Sequence, residues 1–395
     1  MPTPSILTGN VRTDQILAIK VPVNMRETID VLDAERAYFE YLTRQFKKMK
    51  GIDSMKYEFM EMRSYPFIMT CNAITAAGQT AVSVDNPSYA HTDQLIYNTR
   101  TKEFYLMNEV IGGVAAAGKI TVLNQQAGTG GITTATAVGD VLQIGPESHA
   151  EGEAIPAAYS NKPDARFTYL FQHDKRRANT DIMRLSKEYG TPQLILDRKQ
   201  FWVDEMRALA MMLYTGKQVR EVVSASGLRR HAMSGIMEQI TTNVIDYDNV
   251  PGAMTLASIG EALRLTMNHS ASSTTKVGVS GQNGWSSISA MPASAIRTTV
   301  NETAWGKKLN TLITPFGTLS IGYDPMLCNE WGMADRFFIL DPGYVERLYL
   351  TGAETHLVLN IQASDDIHNQ VDVITGTDGI RLGLEELHAQ CENIH

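Results

Sequence analysis

Cysteine is scarce in this sequence. The 395 residues hold three cysteines, Cys71, Cys328 and Cys391, which lie far apart and are odd in number. That pattern argues against a disulfide framework and is typical of synthesis in a reducing cytosol. Long apolar runs are also missing, since none approaches the roughly 20 residues that span a bilayer. The first residues, MPTPSILTGN, lack the charged and apolar regions of a signal peptide, so we expect neither a membrane span nor a leader.

Basic charge is in short supply as well. The net charge is −8, from 35 basic and 43 acidic residues, whereas nucleic-acid binders usually carry a basic stripe. Three short basic runs occur, Lys47–Lys50, Lys175–Arg177 and Arg229–His231. We interpret each as a solvated helix end or a contact between subunits. Sequence-specific binding of DNA is therefore not expected.

What is present is the composition of a globular protein, 43% hydrophobic and 20% charged, long enough for two or three domains. The strongest single pattern lies at Thr191–Gly216. Asp197 and Gln200 have the spacing of a capping box at the start of a helix, and Gly216 stands where a left-handed C-terminal cap belongs. Four side chains recur at helical spacing and predict one buried face: Trp202, Met206, Leu209 and Leu213. Phe201, Ala208, Met211 and Met212 widen that face, which leaves Asp204, Glu205 and Arg207 for water.

Residues 64–161 differ from the rest of the chain. They hold three basic and eight acidic residues and are rich in Ala, Thr, Gly and Val. Short alternating runs separated by turn signals predict an all-β module there, with strands near residues 80–84, 94–98, 104–110, 119–123 and 138–144.

Helices are predicted at about residues 33–50, within 162–190 and at 255–268. The segment after the helix at 255–268 predicts a strand followed by a Gly/Ser-rich loop. Thr311–Gly322 predicts a hairpin.

No motif in the sequence assembles a catalytic set. Gly113–Lys119 matches part of a phosphate-binding loop, but Ile120 stands where Ser or Thr is needed and a strand pattern follows, so a β-hairpin is the plainer interpretation. Gly278–Gly281 does not have the spacing of a nucleophile elbow. The adjacent carboxylates Asp365–Asp366 and Glu385–Glu386 are predicted to be solvated.

Three patterns raise the question of a metal, and each is incomplete. His149 and Glu151 form half of a zinc-deaminase signature without its cysteines. Asp246 and Asp248 lack the rest of a calcium loop. The spacing of His388, Cys391 and His395 fits one helical face without a fourth ligand. We therefore assign no catalytic, cofactor-binding or metal-binding residue, and predict that the protein is not an enzyme.

The order of parts is distinctive: an apolar arm, a short helix, a β-rich stretch, a long central helix and a mixed lobe. Particular stretches strengthen the pattern, namely Val23–Leu42, Tyr57–Glu61, Val138–Leu142, Glu151–Glu153, Gly227–Ile236, Phe316–Leu319 and Phe338–Pro342. In these the chain resembles the major capsid protein of tailed bacteriophages. The resemblance is to the Hong Kong 97-type fold, in the subset whose extended loop carries an inserted β module.

The resemblance implies an α+β fold of four parts. Residues 1–57 would form the N-terminal arm and first helix, and 58–165 the extended loop with its insert. Residues 166–230 and 341–395 would form the peripheral domain with the spine helix at 191–216, and 231–340 the axial domain.

The resemblance also implies a function. The protein would be made in the host cytoplasm and would assemble with itself into pentamers and hexamers of an icosahedral virion shell, through contacts of its arm and extended loop. That shell would enclose double-stranded DNA, with scaffold, portal and decoration proteins as further partners. Some members of this family join the subunits of the shell by a Lys–Asn bond, and Lys102 and Lys119 are the only lysines within residues 64–161 of the predicted loop.

Two other interpretations remain open at this point. A tail-fibre or adhesin protein would explain the β-rich region but not a long, widely buried helix. A hydrolase or transferase would need a pocket, for which no motif argues.

Overall fold

The computed structural model describes most of the chain from residue 49 to residue 394. The described residues are 49–63, 67–111, 118–124, 130–149, 151–152, 162–180, 193–223, 227, 229–247, 254–290, 296–297, 303–304, 307–308, 310–362 and 369–394. Most of the predicted arm and first helix, up to residue 48, lies outside them. Met49 and Lys50, the end of that predicted helix, lie in a strand.

The chain divides into two compact units. We call Met1–Phe59 with Arg166–His395 the main unit, and Met60–Ala165 the insert unit. Strands β2 (Lys56–Glu61) and β9 (Asp164–Tyr169) pair with each other where the chain passes between the units.

The main unit contains two larger sheets. The first has the strands β1 (Met49–Ile52), β10 (Phe171–Thr180), β21 (Val345–Leu350), β22 (His356–Gln362) and β23 (Asn369–Leu382). Its order is β1-β21-β23-β10, with β22 also paired to β23. The second has the strands β13 (Val244–Asp246), β14 (Thr275–Ser280), β15 (Ile296–Arg297), β18 (Asn310–Ile313), β19 (Thr318–Tyr323), β20 (Phe337–Leu340) and β24 (Ala389–Glu392). Its order is β13-β24-β20-β14-β19-β18-β15.

Short elements complete the main unit. Two pairs of strands lie apart from the sheets, β11 (Val219–Val223) with β12 (Arg229–Ala232), and β16 (Thr303–Ala304) with β17 (Lys307–Lys308). The described helices are α1 (Gln193–Thr215), α2 (Ile236–Gln239), α3 (Leu256–Thr266) and α4 (Gln282–Ser289), with 3-10 turns at Asn329–Trp331 and Glu385–Leu387.

Helix α1 packs as its apolar spacing predicts. Met206, Leu209 and Leu213 lie in a core with side chains of β14, β20, β21 and β23, and Trp202 packs against it. Two details of the prediction are wrong, because Ala208 is exposed and Glu205 is buried.

The predicted caps of α1 are also wrong. The helix extends to Gln193, so Asp197 lies inside it, and its carboxylate pairs with Arg177 of β10 rather than capping an amide. Gly216 does not adopt a left-handed conformation. Instead its carbonyl accepts the N–H of Gly235 at 2.7 Å, and a Cβ at Gly216 would lie 2.7 Å from the carbonyl oxygens of Met212 and Met233. A close approach of two backbones therefore requires this glycine.

The predicted helical pattern within 162–190 is wrong for its described part, which forms β9 and β10. Along β10 the less exposed side chains alternate with exposed ones, as in a strand. The shielded positions include His173, Lys175 and Arg177. A prediction from hydrophobicity misses this alternation, because these shielded side chains are polar or charged.

The predicted Gly/Ser-rich loop after β14 is helix α4. Its first amides find acceptors elsewhere in the chain: Gln282 N–H donates to Leu327 C=O at 3.1 Å and Asn283 N–H to Ala334 C=O at 2.9 Å. Tertiary contacts thus satisfy the helix N-terminus, which sequence pattern alone does not reveal. The predicted helix at 255–268 and the hairpin at 311–322 are confirmed as α3, with Thr255 in a capping box, and as β18–β19.

The insert unit is a six-stranded antiparallel sheet whose strands confirm the predicted alternation. They are β3 (Ile68–Thr70), β4 (Ala81–Val84), β5 (Gln94–Asn98), β6 (Phe104–Ile111), β7 (Gly118–Asn124) and β8 (Val141–Glu147), with a 3-10 turn at Pro87–Tyr89. The order is β3-β8-β5-β6-β7-β4. Cys71, just after β3, bridges Val84 of β4, and Asp85 N–H donates to Thr70 C=O at 3.0 Å. These contacts close the sheet into a small barrel.

The core position of Leu209 beside exposed Ala208 gives a matched test. Leu209→Asp should abolish soluble folded protein, because a buried unpaired charge costs several kcal/mol. Ala208→Asp should cost only about 0.7 kcal/mol of helix propensity. Soluble yield and circular dichroism measure both. Equal behaviour of the two variants would show that this face of α1 is not buried.

The backbone contact at Gly216 gives a second test. Gly216→Ala should lower the free energy of unfolding by about 1–3 kcal/mol, since two carbonyl groups must move. The control is Gly260→Ala in α3, where an added Cβ meets nothing within 4 Å. There the free energy of unfolding should rise by about 0.5–1 kcal/mol. Denaturant titration compares the two, and a stabilised Gly216→Ala would contradict the close approach.

Candidate functional site: a buried charged cluster under helix α1

Charged side chains meet in the main unit between α1 and the first sheet. His173 comes from β10, Glu205 from α1, Asp378 from β23 and Arg347 from β21. All four are at least nine-tenths buried. Thr355, which precedes β22, joins them. We call these five residues the α1 cluster.

His173 lies at the centre of the α1 cluster. Its Nδ1 lies 2.9 Å from Glu205 Oε1, and its Nε2 lies 3.1 Å from Asp378 Oδ2 and 3.0 Å from Thr355 Oγ1. Thr355 donates its own proton to Asp378. Both ring nitrogens of His173 therefore face acceptors, which only the doubly protonated imidazolium satisfies.

The charges of the α1 cluster compensate one another. Burial alone would lower the pKa of His173, but the hydrogen bonds and charges of Asp378 and Glu205 outweigh it and raise that pKa. Burial would raise the pKa of Asp378, yet His173 and Arg347 lower it. Arg347 Nε and a terminal guanidinium nitrogen lie 2.7 and 2.6 Å from Asp378 Oδ1. Two cations thus balance two carboxylates out of contact with water.

A second set of ion pairs ties the first half of α1 to the same sheet. Arg198 Nε donates to Asp372 Oδ2 of β23 at 2.8 Å, and Asp197 pairs with Arg177 of β10. Asp372 is buried and also accepts the N–H of Asn360 at 2.9 Å. Apolar packing and ion pairs together therefore hold α1 on the sheet.

The second sheet has its own buried pair. Lys276 Nζ of β14 donates to Asp341 Oδ2 at 2.6 Å and to Leu387 C=O at 3.1 Å, and both charged side chains are 0% exposed. Burial lowers the pKa of Lys276 in spite of Asp341. Asp341 also accepts the N–H groups of Ser273 and Gly343 at 2.9 Å each. This pair fixes the turn after β20 to the sheet.

The residues of the sequence motifs belong neither to the α1 cluster nor to the Lys276–Asp341 pair. Gly118 begins β7 and Lys119 pairs in register with Ile111 of β6, so the strands confirm the hairpin interpretation of Gly113–Lys119, whose residues 113–117 lie outside the described part. Ser280, at the end of β14, is buried and donates to Gly281 C=O at 3.0 Å.

The helical face proposed for His388, Cys391 and His395 is wrong where it is described. Cys391 lies in strand β24, and His388 follows a 3-10 turn in extended conformation. His388 is buried, its Nδ1 accepts the N–H of Asp341 at 3.1 Å, and burial lowers its pKa to about 4. His395 lies outside the described residues.

The remaining candidates that the structure describes have partners of their own and do not form one group. Glu385, predicted to be solvated, is buried and accepts from Thr241 Oγ1 at 2.6 Å. Asp246 accepts from Asn393 at 2.8 Å, and His149 lies 3.6 Å from Glu147. Asp248, Asp365 and Asp366 lie outside the described residues.

Neither a metal centre nor a membrane span is found in the described part of the chain. No three His, Cys, Asp or Glu side chains there come together as a group that could hold a metal ion. No described helix is both long and apolar enough to cross a bilayer.

Sequence reasoning missed the α1 cluster. Two signals for it were available in the sequence. Glu205 interrupts an apolar helix face, and His173 lies at a shielded position of an alternating strand. Asp378 and Arg347 carry no local signal, because long-range pairing of β21 and β23 brings them together.

Comparisons with known proteins agree with a structural role. The sequence matches the family model of the SU10 major capsid protein over residues 33–395. No curated protein sequence matches. Among solved structures the chain is similar to one from Mycobacterium phage Bobi, at 6% identity and a TM-score of 0.49 over 97% of this chain and 99% of that one. It is also similar to one from Gordonia phage Cozz, at 8% identity and a TM-score of 0.48 over 95% and 91%.

The family match covers most of the chain and defines the class: a structural protein that forms a virus shell. The chain belongs to the SU10 major capsid protein family. It has an α+β fold, assembles with itself into the capsid of a bacteriophage, and is part of the virion shell. These findings give no support to the tail-fibre or adhesin interpretation.

The charge of His173 predicts a dependence of stability on pH. Because its pKa is raised above 6.5 in the folded state, its contribution is complete below the unfolded pKa and is lost as pH rises through the folded pKa. The free energy of unfolding of unassembled protein should therefore fall as the pH rises above about 6.5 and through the raised pKa of His173.

His173→Gln is the control for that measurement. It should be less stable at the acidic end, since both carboxylates lose a cation, and should show a smaller loss towards alkaline pH. Denaturant titrations at several pH values compare the two proteins. An identical pH slope in both would exclude His173 as its source.

Proposed function

We propose that this chain builds the pentamers and hexamers of an icosahedral shell that encloses the double-stranded DNA of a tailed phage, and that it does so without catalysis. The observation that carries the proposal is the insert unit. It has its own core, formed around Met69, Ile96, Tyr105, Met107 and Val122, and so does not need the main unit to bury its apolar side chains. A module of this kind is suited to lie over a neighbouring subunit.

We assign the predicted parts as follows. Residues 1–57 are the N-terminal arm and 58–165 the extended loop, a range close to the insert unit at Met60–Ala165. Residues 166–230 and 341–395 are the peripheral domain, with α1 as its spine, and 231–340 the axial domain. Strand β24 pairs with β20 and β13, so within the 341–395 range we assign Ala389–Glu392 to the sheet of the axial domain.

In this assignment α1 transmits force between subunits. The α1 cluster supports that role, because separating α1 from the sheet would part Glu205 from His173, whereas Asp378 and Arg347 stay with His173 on the sheet. Removing one partner of a buried pair costs about 3–5 kcal/mol. Pulling α1 off the sheet therefore carries an electrostatic cost in addition to the loss of its apolar contacts.

The net charge of the chain is −8, which agrees with a shell that encloses DNA without binding it tightly. Scaffold, portal and decoration proteins are the proposed further partners, and the chain itself is proposed to use no cofactor or metal. A covalent Lys–Asn bond between subunits remains a hypothesis, for which Lys119, exposed on β7, and Lys102, in the β5–β6 turn, are the lysines of the β module. Lys162, just before β9, is the other lysine of residues 58–165. Denaturing gels of mature particles that show only monomer would exclude such a bond.

The test of assembly is direct. Purified protein, alone and with a scaffold, should form closed particles or capsomer rings under negative-stain microscopy. Leu209→Asp should give none, whereas Ala208→Asp should give normal particles. A wild-type chain that stays monomeric under every assembly condition would contradict the proposal.

A further inference from the structure

The barrel of the insert unit separates its side chains cleanly into two sets. Along β5 and β6 the buried residues Ile96, Tyr105 and Met107 alternate with less buried ones. Since successive side chains of a strand point to opposite faces, the second set covers the outside of the barrel. The interior is already filled by the first set.

The outer set is unexpectedly apolar over one area. Six side chains share it, and we call them the outer patch: Ile68, Leu95, Tyr97, Phe104, Leu106 and Leu123. Their exposed fractions reach 55% for Ile68, 45% for Phe104 and 39% for Leu123. Apolar exposure on this scale in adjacent residues marks an interaction surface.

Strand register makes the outer patch continuous. Leu95 pairs with Leu106, and Leu106 with Leu123, which gives one row across three strands. Tyr97 pairs with Phe104, with ring centroids 4.7 Å apart. Tyr97 also pairs with Gln143, and Gln143 with Ile68, which completes a second row beside the first.

Charge lies only around the outer patch. Along β7 the nearest outward charge is Lys119, four residues before Leu123, or about 13 Å along the strand. On β8 Glu147 is four residues after Gln143. On β6 the exposed Glu109 pairs in register with Thr121, two residues before Leu123. The six patch side chains themselves carry no charge, so no like-charge repulsion arises between the two patches themselves.

We infer that the outer patch binds the outer patch of a second copy of this chain, and so joins two subunits of the shell. The inference rests on the proposed function, because a shell brings many identical copies together. A symmetric contact places the same surface on both subunits, and an uncharged apolar surface is complementary to itself. The barrel interior is already filled by other side chains, so the apolar side chains of the outer patch are left for a contact outside the barrel.

The first test changes the patch without touching the barrel interior. Phe104→Asp and Leu123→Asp place a charge where two patches would meet, and each should reduce particle yield by about tenfold or more. The matched control is Val138→Asp, because Val138 is an apolar side chain, 64% exposed, in the turn before β8 and outside the patch. Circular dichroism and thermal unfolding should show that all three variants keep the wild-type fold.

The second test uses symmetry. Gln143 is exposed and lies in the second row of the patch, between Tyr97 and Ile68, so Gln143→Cys should place two thiols close together across a symmetric contact. Mild oxidation of particles should then yield disulfide-linked dimers on a non-reducing gel. Wild-type particles under the same oxidant control for Cys328, the one native cysteine that is not fully buried.

The outcomes separate this inference from the assembly proposal. Wild-type protein that never assembles contradicts the proposed function itself. Wild-type particles together with normal particles from both patch variants overturn the inference alone. Loss of assembly in the patch variants without Gln143→Cys dimers also overturns it, because the patch would then bind a different surface or a different protein.

Discussion

The main unit depends on one constraint, which is that a buried carboxylate on α1 must meet a cation. The cation that Glu205 meets is His173 of β10. His173 also contacts Asp378 of β23, which pairs with Arg347 of β21. Apolar side chains could hold helix and sheet together in several registers, but the hydrogen bonds between these charged groups can form in very few of those registers. The α1 cluster therefore sets where α1 lies on β10 and β23, as well as holding it there.

The insert unit is organised by a different constraint, the closure of its sheet. The contacts of Cys71 with Val84 and of Asp85 with Thr70 remove the open edges that would otherwise pair with other chains. Closure turns one face of every strand inward and fills the interior, so association must use the outward face. In a protein that forms a shell, an apolar area on that face is a contact surface rather than a flaw.

Local pattern predicted a good part of this architecture. The spacing of Met206, Leu209 and Leu213 identified the buried face of α1, and alternation located the strands of the insert unit. Prediction was wrong where partners distant in sequence decide the structure. β10 resembled a helix because its shielded positions carry charge, and α4 resembled a loop because Leu327 and Ala334 supply the acceptors for its first amides. Glu205 was assigned to water because its partners are contributed by other strands.

Residue types and their spacing along the chain were enough to locate the periodicities and the turn residues and to show that no recognisable catalytic motif is present, and the order of segments indicated a capsid protein. These are properties of near neighbours in the chain, which residue size, polarity and backbone preference decide. Long-range contacts settle two further points, namely which charges are buried together and which apolar side chains are left outside the barrel. Both depend on strand pairing between residues such as Arg347 and Asp378, or Ile68 and Gln143, and no local pattern encodes the register of a pairing across so many residues.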